Sequence, residues 1–275
     1  MAKEERKYWD PEIETLPLDK LKKMEEKQLQ EYVSWAYERT GFYRKKFDQA
    51  GVKPSDINSL DDLTKLPLTE DSEIRQAPME EKIAVPWEEV KRFCSSSGTT
   101  GFPELIPFTK SDFELGCIDS CARGKWAIGL RPSDVILNLI GYSCQTKVDE
   151  IVGATVFGEQ IGRGNLDAQL VLADRSNVTV LEQMPSMLLN YFDRAKELGV
   201  NIKESKVRLI IAYGEGWAES YKKKVGADYG VEFGSLYGSS QVAELAAECE
   251  CRTGMHVTAD RCITEIIDPE TLKVL

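Results

Sequence analysis

The sequence has no unbroken apolar stretch approaching the ~18–20 residues that cross a bilayer, so no membrane-spanning helix is expected. Its N-terminus, "MAKEERKYWDPEIE", lacks the apolar core of a secretory signal. An excess of base is also missing. Forty-six acids against thirty-five bases give a net charge of −11, which excludes nucleic acid or an anionic membrane surface as the main partner. That acidity reads as solubility. Neither a fixed-period repeat nor a low-complexity tract is present. The cysteines (94, 117, 121, 144, 249, 251, 262) are odd in number, in a chain of 275 residues that needs no covalent staples to bury a core. A reduced, cytoplasmic protein is expected.

What remains is an ordinary globular composition, 42% hydrophobic and 29% charged. Residues 1–89 read as a helical cap. In "LKKMEEKQLQEYVSWAYERTG" the residues Leu21, Met24, Leu29, Tyr32, Val33 and Ala36 fall near helical spacing, with Gly41 as a stop. From about Val90 to residue 275 the rhythm becomes strand–helix alternation. Strands are expected at 134–140, 154–157, 177–184, 207–214 and 231–238. Helices are expected from Thr109, with Asp112 completing a near capping box, and between Pro185 and Gly199. This pattern predicts an α/β nucleotide-binding region with a mostly parallel sheet flanked by helices. "CITEIIDPETLKVL" reads as a strand, an Asp268–Thr271 turn and the start of a second strand, so a domain truncated after Leu275 is expected.

Ligands of such sheets gather at the carboxyl ends of strands. Three polar, glycine-bearing stretches are expected there: Ser95–Gly101, Gly214–Trp217 and Tyr237–Gln241. In the first, Gly98 and Gly101 allow close backbone approach, and successive N–H groups can form an anion-binding concavity. Ser95, Ser96, Ser97, Thr99 and Thr100 add hydroxyl donors. The run is not a G-x-x-x-x-G-K-[ST] loop, because the spacing differs and no lysine follows. A flexible Ser/Gly loop is the plain alternative.

"SSSGTTGFP" resembles the S-S-G-T-T-G-x-P phosphate loop of adenylate-forming enzymes, the acyl- and aryl-CoA synthetase superfamily. "WAYERTGFYRKKFDQAGVKPSDINSLDDLTKLPLTE", "YGEGWAES", "LYGSSQVA" and "GMHVTADRCITEIIDPET" are similar, in order, to its phenylacetate–CoA ligase branch. The resemblance runs from about residue 8 to the C-terminus. It implies the large N-terminal domain of such an enzyme, taking ATP, Mg²⁺, CoA and a small carboxylic acid. Carboxylate attack on the α-phosphate would give acyl-AMP, and CoA thiol would then displace AMP. The protein's part is mainly positioning and phosphate charge neutralisation.

By motif matching, Ser95, Ser96, Ser97, Gly98, Thr99, Thr100 and Gly101 would hold the β- and γ-phosphates, and Glu215 and Gly216 would border the adenine. Tyr237 would stack on the purine and Ser240 would approach the α-phosphate, with Gly238 and Ser239 in the same ATP/AMP-binding stretch. Tyr142 would open the aryl-acid pocket. The same resemblance points to a homodimer and places the catalytic lysine beyond Leu275.

The chain departs from the family pattern at three places. Where the family commonly has a lysine near the phosphate loop, Phe102 and Glu104 stand. Where it closes the Tyr-Gly motif with a magnesium-binding acid, Gln241 stands, with Glu244 as a substitute ligand three residues on. The ribose-binding Asp, hinge and lysine would lie past the last residue. These departures keep a second reading open: a degenerate module that binds AMP or acyl-adenylate without turnover.

Cys249, Cys251, His256 and Cys262 form C-x-C-x₄-H-x₅-C and include the single histidine. Thiolates and imidazole so close in sequence are candidate ligands for a tetrahedral Zn²⁺. Such a site would make this stretch a zinc-stabilised interaction surface. The alternative is buried thiols with a surface histidine. Cys117 and Cys121, four apart on one helical face, read as core thiols.

Overall fold

The structure is a computed structural model that describes residues 6–95, 103–139, 143–157, 165–271 and 273–275. The chain runs α1 (Pro11–Glu14), α2 (Leu18–Arg39), α3 (Gly41–Ala50), α4 (Asp71–Gln76), α5 (Met79–Lys82), β1 (Val90–Ser95) and β2 (Leu105–Thr109). There follow α6 (Asp119–Ile128), β3 (Val135–Asn138), α7 (Ser143–Val152), β4 (Thr155–Phe157), α8 (Leu166–Arg175) and β5 (Val180–Gln183). The last elements are α9 (Pro185–Glu197), β6 (Leu209–Ala212), α10 (Glu219–Tyr229), β7 (Glu232–Ser239), β8 (Ala243–Glu248) and β9 (Met255–Val257). Among the described residues no helix is long and apolar enough to cross a membrane.

The chain divides into two compact units. One joins Met1–Glu14 to Asp112–Thr258, and the other joins Thr15–Ser111 to Ala259–Leu275. This division differs from the expected 1–89 and 90–275, because the β1–β2 pair groups with the helical segment.

In the first unit every strand expected from the alternation forms; β3 to β6 are one to four residues shorter than their apolar runs, whereas β7 keeps the expected length and is displaced by one residue. The seven-stranded sheet has the order β4-β3-β5-β6-β7-β8-β9. The first five strands in that order are parallel. Strands β8 and β9 return antiparallel as a hairpin extension. Side chains alternate between faces, so Leu209 and Ile211 enter one apolar layer with Ala122 and Trp126 of α6 and Val148 of α7. Ile210 enters the opposite layer with Leu170 of α8, Leu188 and Phe192 of α9, and Val225 of α10. Helices on both faces account for the completely buried β5 and β6. The helix expected from Thr109 begins instead with a π-helical stretch, Asp112–Ile118, and becomes regular only in α6.

The second unit is built on α2 and α3, whose Leu29, Val33 and Phe47 pack with Val52 and Ile57. Gly41 does not act as a stop. Thr40 ends α2 and caps α3: its Oγ1 accepts from the Tyr43 N–H at 3.2 Å and donates to the Ala36 carbonyl at 2.8 Å. β1 and β2 form a separate two-stranded antiparallel sheet. Near the C-terminus the expected turn is present. Asp268 Oδ1 accepts from the Glu270 and Thr271 amides at 2.9 and 2.7 Å, and Ile267 bridges to Val274.

Candidate functional site

The parallel strands β5, β6 and β7 are hydrogen-bonded neighbours, so the segments leaving their carboxyl ends lie side by side. After β6 the chain turns at Gly214, whose φ of +81° favours glycine. A Cβ there would stand 3.5 Å from Met184 Cγ, the residue that follows β5. Glu215 then reaches back to the first turn of α9. Its carboxylate accepts from the Ser186 N–H at 2.9 Å and from the Ser186 hydroxyl at 2.8 Å. A carboxylate at a helix N-terminus satisfies an orphan amide and complements the dipole. Beneath the turn, Trp217 packs at 5.1 Å from Tyr221 and 4.9 Å from Phe233, ring centre to ring centre. The ground over Gly216 is open: a Cβ there would meet nothing within 4 Å.

The register pairs Ala212, the last residue of β6, with Ser235, so Tyr237 lies two residues further along β7, past the carboxyl end of β6. Tyr237 is 61% exposed, although its neighbour Leu236 is buried. An aromatic ring so open is not a core element. The β7–β8 connection is tight. The ladder shifts register between Tyr237 and Gly238, Ala243 takes φ +59°, and a Cβ on Gly238 would stand 2.0 Å from the Ala243 carbonyl oxygen. Ser239 and Gln241 are exposed there and Ser240 is half-buried. Glu215, Gly216, Tyr237, Gly238, Ser239, Ser240 and Gln241 thus share one edge of the sheet.

Other expected positions stand differently. Ser95 ends β1 and pairs with Leu105, whereas Ser96, Ser97, Gly98, Thr99, Thr100, Gly101, Phe102 and Tyr142 lie outside the described residues. The serine-rich run therefore connects two antiparallel strands and does not leave a parallel strand, as the alternation implied. Glu104 is buried, 7% exposed, and adds to the upward shift that burial gives the Tyr43 phenol against the Thr69 hydrogen bond.

Glu244 does not serve as an exposed magnesium ligand. It is 5% exposed, and a Cβ on Gly124 of α6 would fall 1.8 Å from its Oε1. Burial pushes its carboxyl well above the usual range, against the pull of Lys125, Cys121 and Arg123. A carboxyl buried against α6 is not presented to a hard cation at the surface. Of the two expected ligands only the uncharged Gln241 is exposed.

The zinc expectation meets a similar outcome. Cys249 and Cys251 are free thiols, half-buried and exposed, and the Cys249 sulfur neighbours Cys251 and His256. Cys262 instead approaches the Thr264 hydroxyl at 3.8 Å. Among the described residues no group of three or more such donors is placed to hold a metal ion, so the expected four-ligand site is not assembled. Cys121 is buried as expected of a core thiol, and Cys117 is half-buried.

Sequence reasoning missed a buried ionic cluster on the α6–α7 face. Lys125 is fully buried, and its Nζ donates to Asp149 Oδ1 at 2.6 Å and to Glu182 Oε2 at 2.7 Å. Asn138, the last residue of β3, donates to the same Glu182 oxygen at 3.1 Å. Burial opposes the charge on Lys125, yet Glu182 and Asp149 hold its ammonium above the ordinary lysine range. Asp149 is pushed up to about 8 by burial and by Glu182, with Lys125 pulling the other way. Among the described residues Asp149 Oδ2 and Glu182 Oε1 have no hydrogen-bond partner. The available signal was Glu182 itself, an acid within the apolar run "VTVLEQM".

Comparison with known proteins decides the relationship. The chain is 32% identical over 272 residues to a phenylacetate-coenzyme A ligase of Thermus thermophilus, covering 96% of this chain and 60% of that protein. It is homologous to the phenylacetate–CoA ligases. The Escherichia coli enzyme of that name is 32% identical over 270 residues, 94% of this chain and 61% of the enzyme. The chain therefore spans about three-fifths of the length of the phenylacetate–CoA ligases it matches. No protein-family profile matches it. The fold agrees with solved acyl-CoA ligases. A 2-hydroxyisobutyryl-CoA ligase, captured open with 2-HIB-AMP and CoA, superposes with TM-score 0.88 at 22% identity over 100% of this chain and 63% of its own. The same ligase in its thioesterification state gives 0.89 at 23% identity, over 100% of this chain and 61% of that structure. The mixed α/β fold of an adenylate-forming ligase's N-terminal part is the fold seen here.

Proposed function

We propose that this chain is the nucleotide-binding part of a ligase that activates an aromatic carboxylic acid of the phenylacetate kind. The acid's carboxylate oxygen attacks the α-phosphorus of ATP, and pyrophosphate leaves. The CoA sulfur then attacks the acyl carbon, and AMP leaves. The observation that carries the reading is the exposed Tyr237 ring on β7 past the carboxyl end of its parallel neighbour β6, where the Gly214–Trp217 turn begins. Tyr237 supplies a stacking face for the purine, and the open ground over Gly216 admits its edge. Glu215, held by Ser186, keeps the turn in place. Ser240 faces the α-phosphate in this reading, and the run from Ser95 to Gly101 is the phosphate-holding segment. Magnesium enters as the counter-ion of the ATP substrate.

The names of the relatives support the aromatic acid, and an acyl-adenylate mimic tests it. An acyl-sulfamoyl adenosine carrying phenylacetate should bind the chain at least tenfold more tightly than one carrying 2-hydroxyisobutyrate. Equal affinity, or the reverse order, would remove the aromatic assignment.

A second reading has one observation in its favour. Gln241 stands where the resemblance calls for an acid, and the neighbouring Glu244 is buried. A module that holds AMP or acyl-adenylate without making it would bind AMP at least as well as ATP, with no dependence on Mg²⁺. The catalytic reading expects Mg²⁺ to tighten ATP binding.

A further inference from the structure

The two halves of the candidate nucleotide edge come from different elements. The Gly214–Trp217 turn runs into α10, which begins at Glu219, and Tyr237 stands near the end of β7. Apolar packing brings these elements together, with Val225 of α10 and Phe233 of β7 in one buried cluster. Such packing is non-directional and does not by itself fix how α10 sits along the strand. A directional contact does. Glu248, the last residue of β8, extends its carboxylate between the two elements. Its Oε1 accepts from Lys222 Nζ of α10 at 2.9 Å, and its Oε2 accepts from the Ser235 N–H of β7 at 2.8 Å.

Both ends of this tie are held. The Lys222 side chain is 14% exposed and that of Glu248 8%, so the pair is shielded from water. A charge-assisted bond in that setting is short and strong, unlike an exposed surface pair. Lys222 Nζ also reaches Glu219 Oε1 at 3.1 Å, which directs the ammonium from within the first turn of α10. On the other side, Ser235 pairs with Ala212 at the end of β6 and immediately precedes the β7–β8 ladder, whose first pair is Leu236 with Ala247. The Ser235 amide is therefore fixed where β7 passes from one neighbour to the other. It lies two residues, about 7 Å of strand, before Tyr237.

We propose that Lys222 and Glu248 are positioning residues of the nucleotide site: their ion pair, anchored on the Ser235 amide, sets the place of the Gly214–Trp217 turn relative to the Tyr237 ring. This role rests on the nucleotide reading of the edge, and neither side chain touches the ligand. Removing the ammonium releases the first turn of α10 from β7 and leaves the Glu248 carboxylate with the Ser235 amide. The turn that leads into α10 then loses its fixed distance from the ring, and the purine loses the spacing between Tyr237 and the open ground over Gly216.

The test is calorimetric titration of AMP into the intact chain, into Lys222→Met and into Glu248→Gln, each well below its own melting temperature. Lys222→Met should bind AMP about tenfold more weakly, since small misplacements of a positioned group are costly. Glu248→Gln keeps an acceptor for the Ser235 amide and loses the charge, so it should weaken binding by a smaller factor. In a Tyr237→Ala background Lys222→Met should add less than about twofold, because the ring it positions is gone. A purely structural role would lower the melting temperature and leave AMP affinity at the parent level, and that result overturns the proposal. So does an equal loss from Lys222→Met with and without Tyr237. A parent chain that binds no AMP at millimolar concentration removes the nucleotide reading and this role with it. A parent that binds, with Lys222→Met and Glu248→Gln unchanged, removes this role alone.

Discussion

Replacing Lys125 by methionine removes the cation from a fully buried cluster that contains two close carboxyls. The lysine is fully buried, with contacts of 2.6 Å to Asp149 and 2.7 Å to Glu182. Removing one partner of a buried pair typically costs about 3–5 kcal/mol, because the remaining charge is left in a low-dielectric interior. For a unit of this size each kcal/mol moves the melting temperature by about 2–4 °C, so Lys125→Met should melt about 10 °C lower near neutral pH. The loss should shrink in acid. Asp149 already titrates near 8, far above its unfolded value. A raised folded-state carboxyl contributes stability fully present below the unfolded value and lost as pH rises through about 8. Without the lysine's pull, Asp149 is held higher still, so the variant should lose more stability than the parent between pH 5 and pH 8. Thermal melts of both proteins at those two pH values measure the effect. A triple variant that also makes Asp149 and Glu182 into leucine should regain most of the loss. A Lys125→Met protein melting within about 1 °C of the parent at both pH values would refute the reasoning.

Two further outcomes follow from close contacts. Gly124→Ala should destabilise by about 1–3 kcal/mol despite alanine's better helix propensity, because its Cβ would stand 1.8 Å from Glu244 Oε1; a melt showing stabilisation would mean that Glu244 swings out freely. Glu215→Ala should cost roughly 0.3–1 kcal/mol through the lost acceptor for the Ser186 amide, read in the same melts, and should weaken AMP binding through a loosened turn.

The alternation of strands and helices was readable because β5 and β6 are covered on both faces, which leaves continuous apolar runs. The crest formed by Glu215 and Tyr237 was readable as well, since turn chemistry there is local: Gly214 needs a positive φ and Gly238 a close backbone approach. The role of Glu215 in holding Ser186 was not, because their contact spans 29 residues and depends on strand order. The same limit hid the Lys125 cluster, whose partners lie 24 and 57 residues away. Glu244 was misplaced for a related reason. Its position beside Gln241 in sequence hid a register shift that turns its side chain onto α6. The placing of the serine-rich run depended on assuming a parallel neighbour, where the chain instead pairs β1 with β2. Gly41 looked like a stop, but Thr40 offers the better cap.

The central claim, that the edge bearing Tyr237 binds an adenine nucleotide, is tested most directly by calorimetric titration of AMP into this chain and into its Tyr237→Ala variant. Loss of a base–aromatic stack is worth about 1–3 kcal/mol. The account predicts saturable binding by the parent chain and an affinity roughly tenfold or more weaker in the variant, with unchanged melting of the free protein. No binding by the parent at millimolar AMP, or equal affinity in the two proteins, would contradict it.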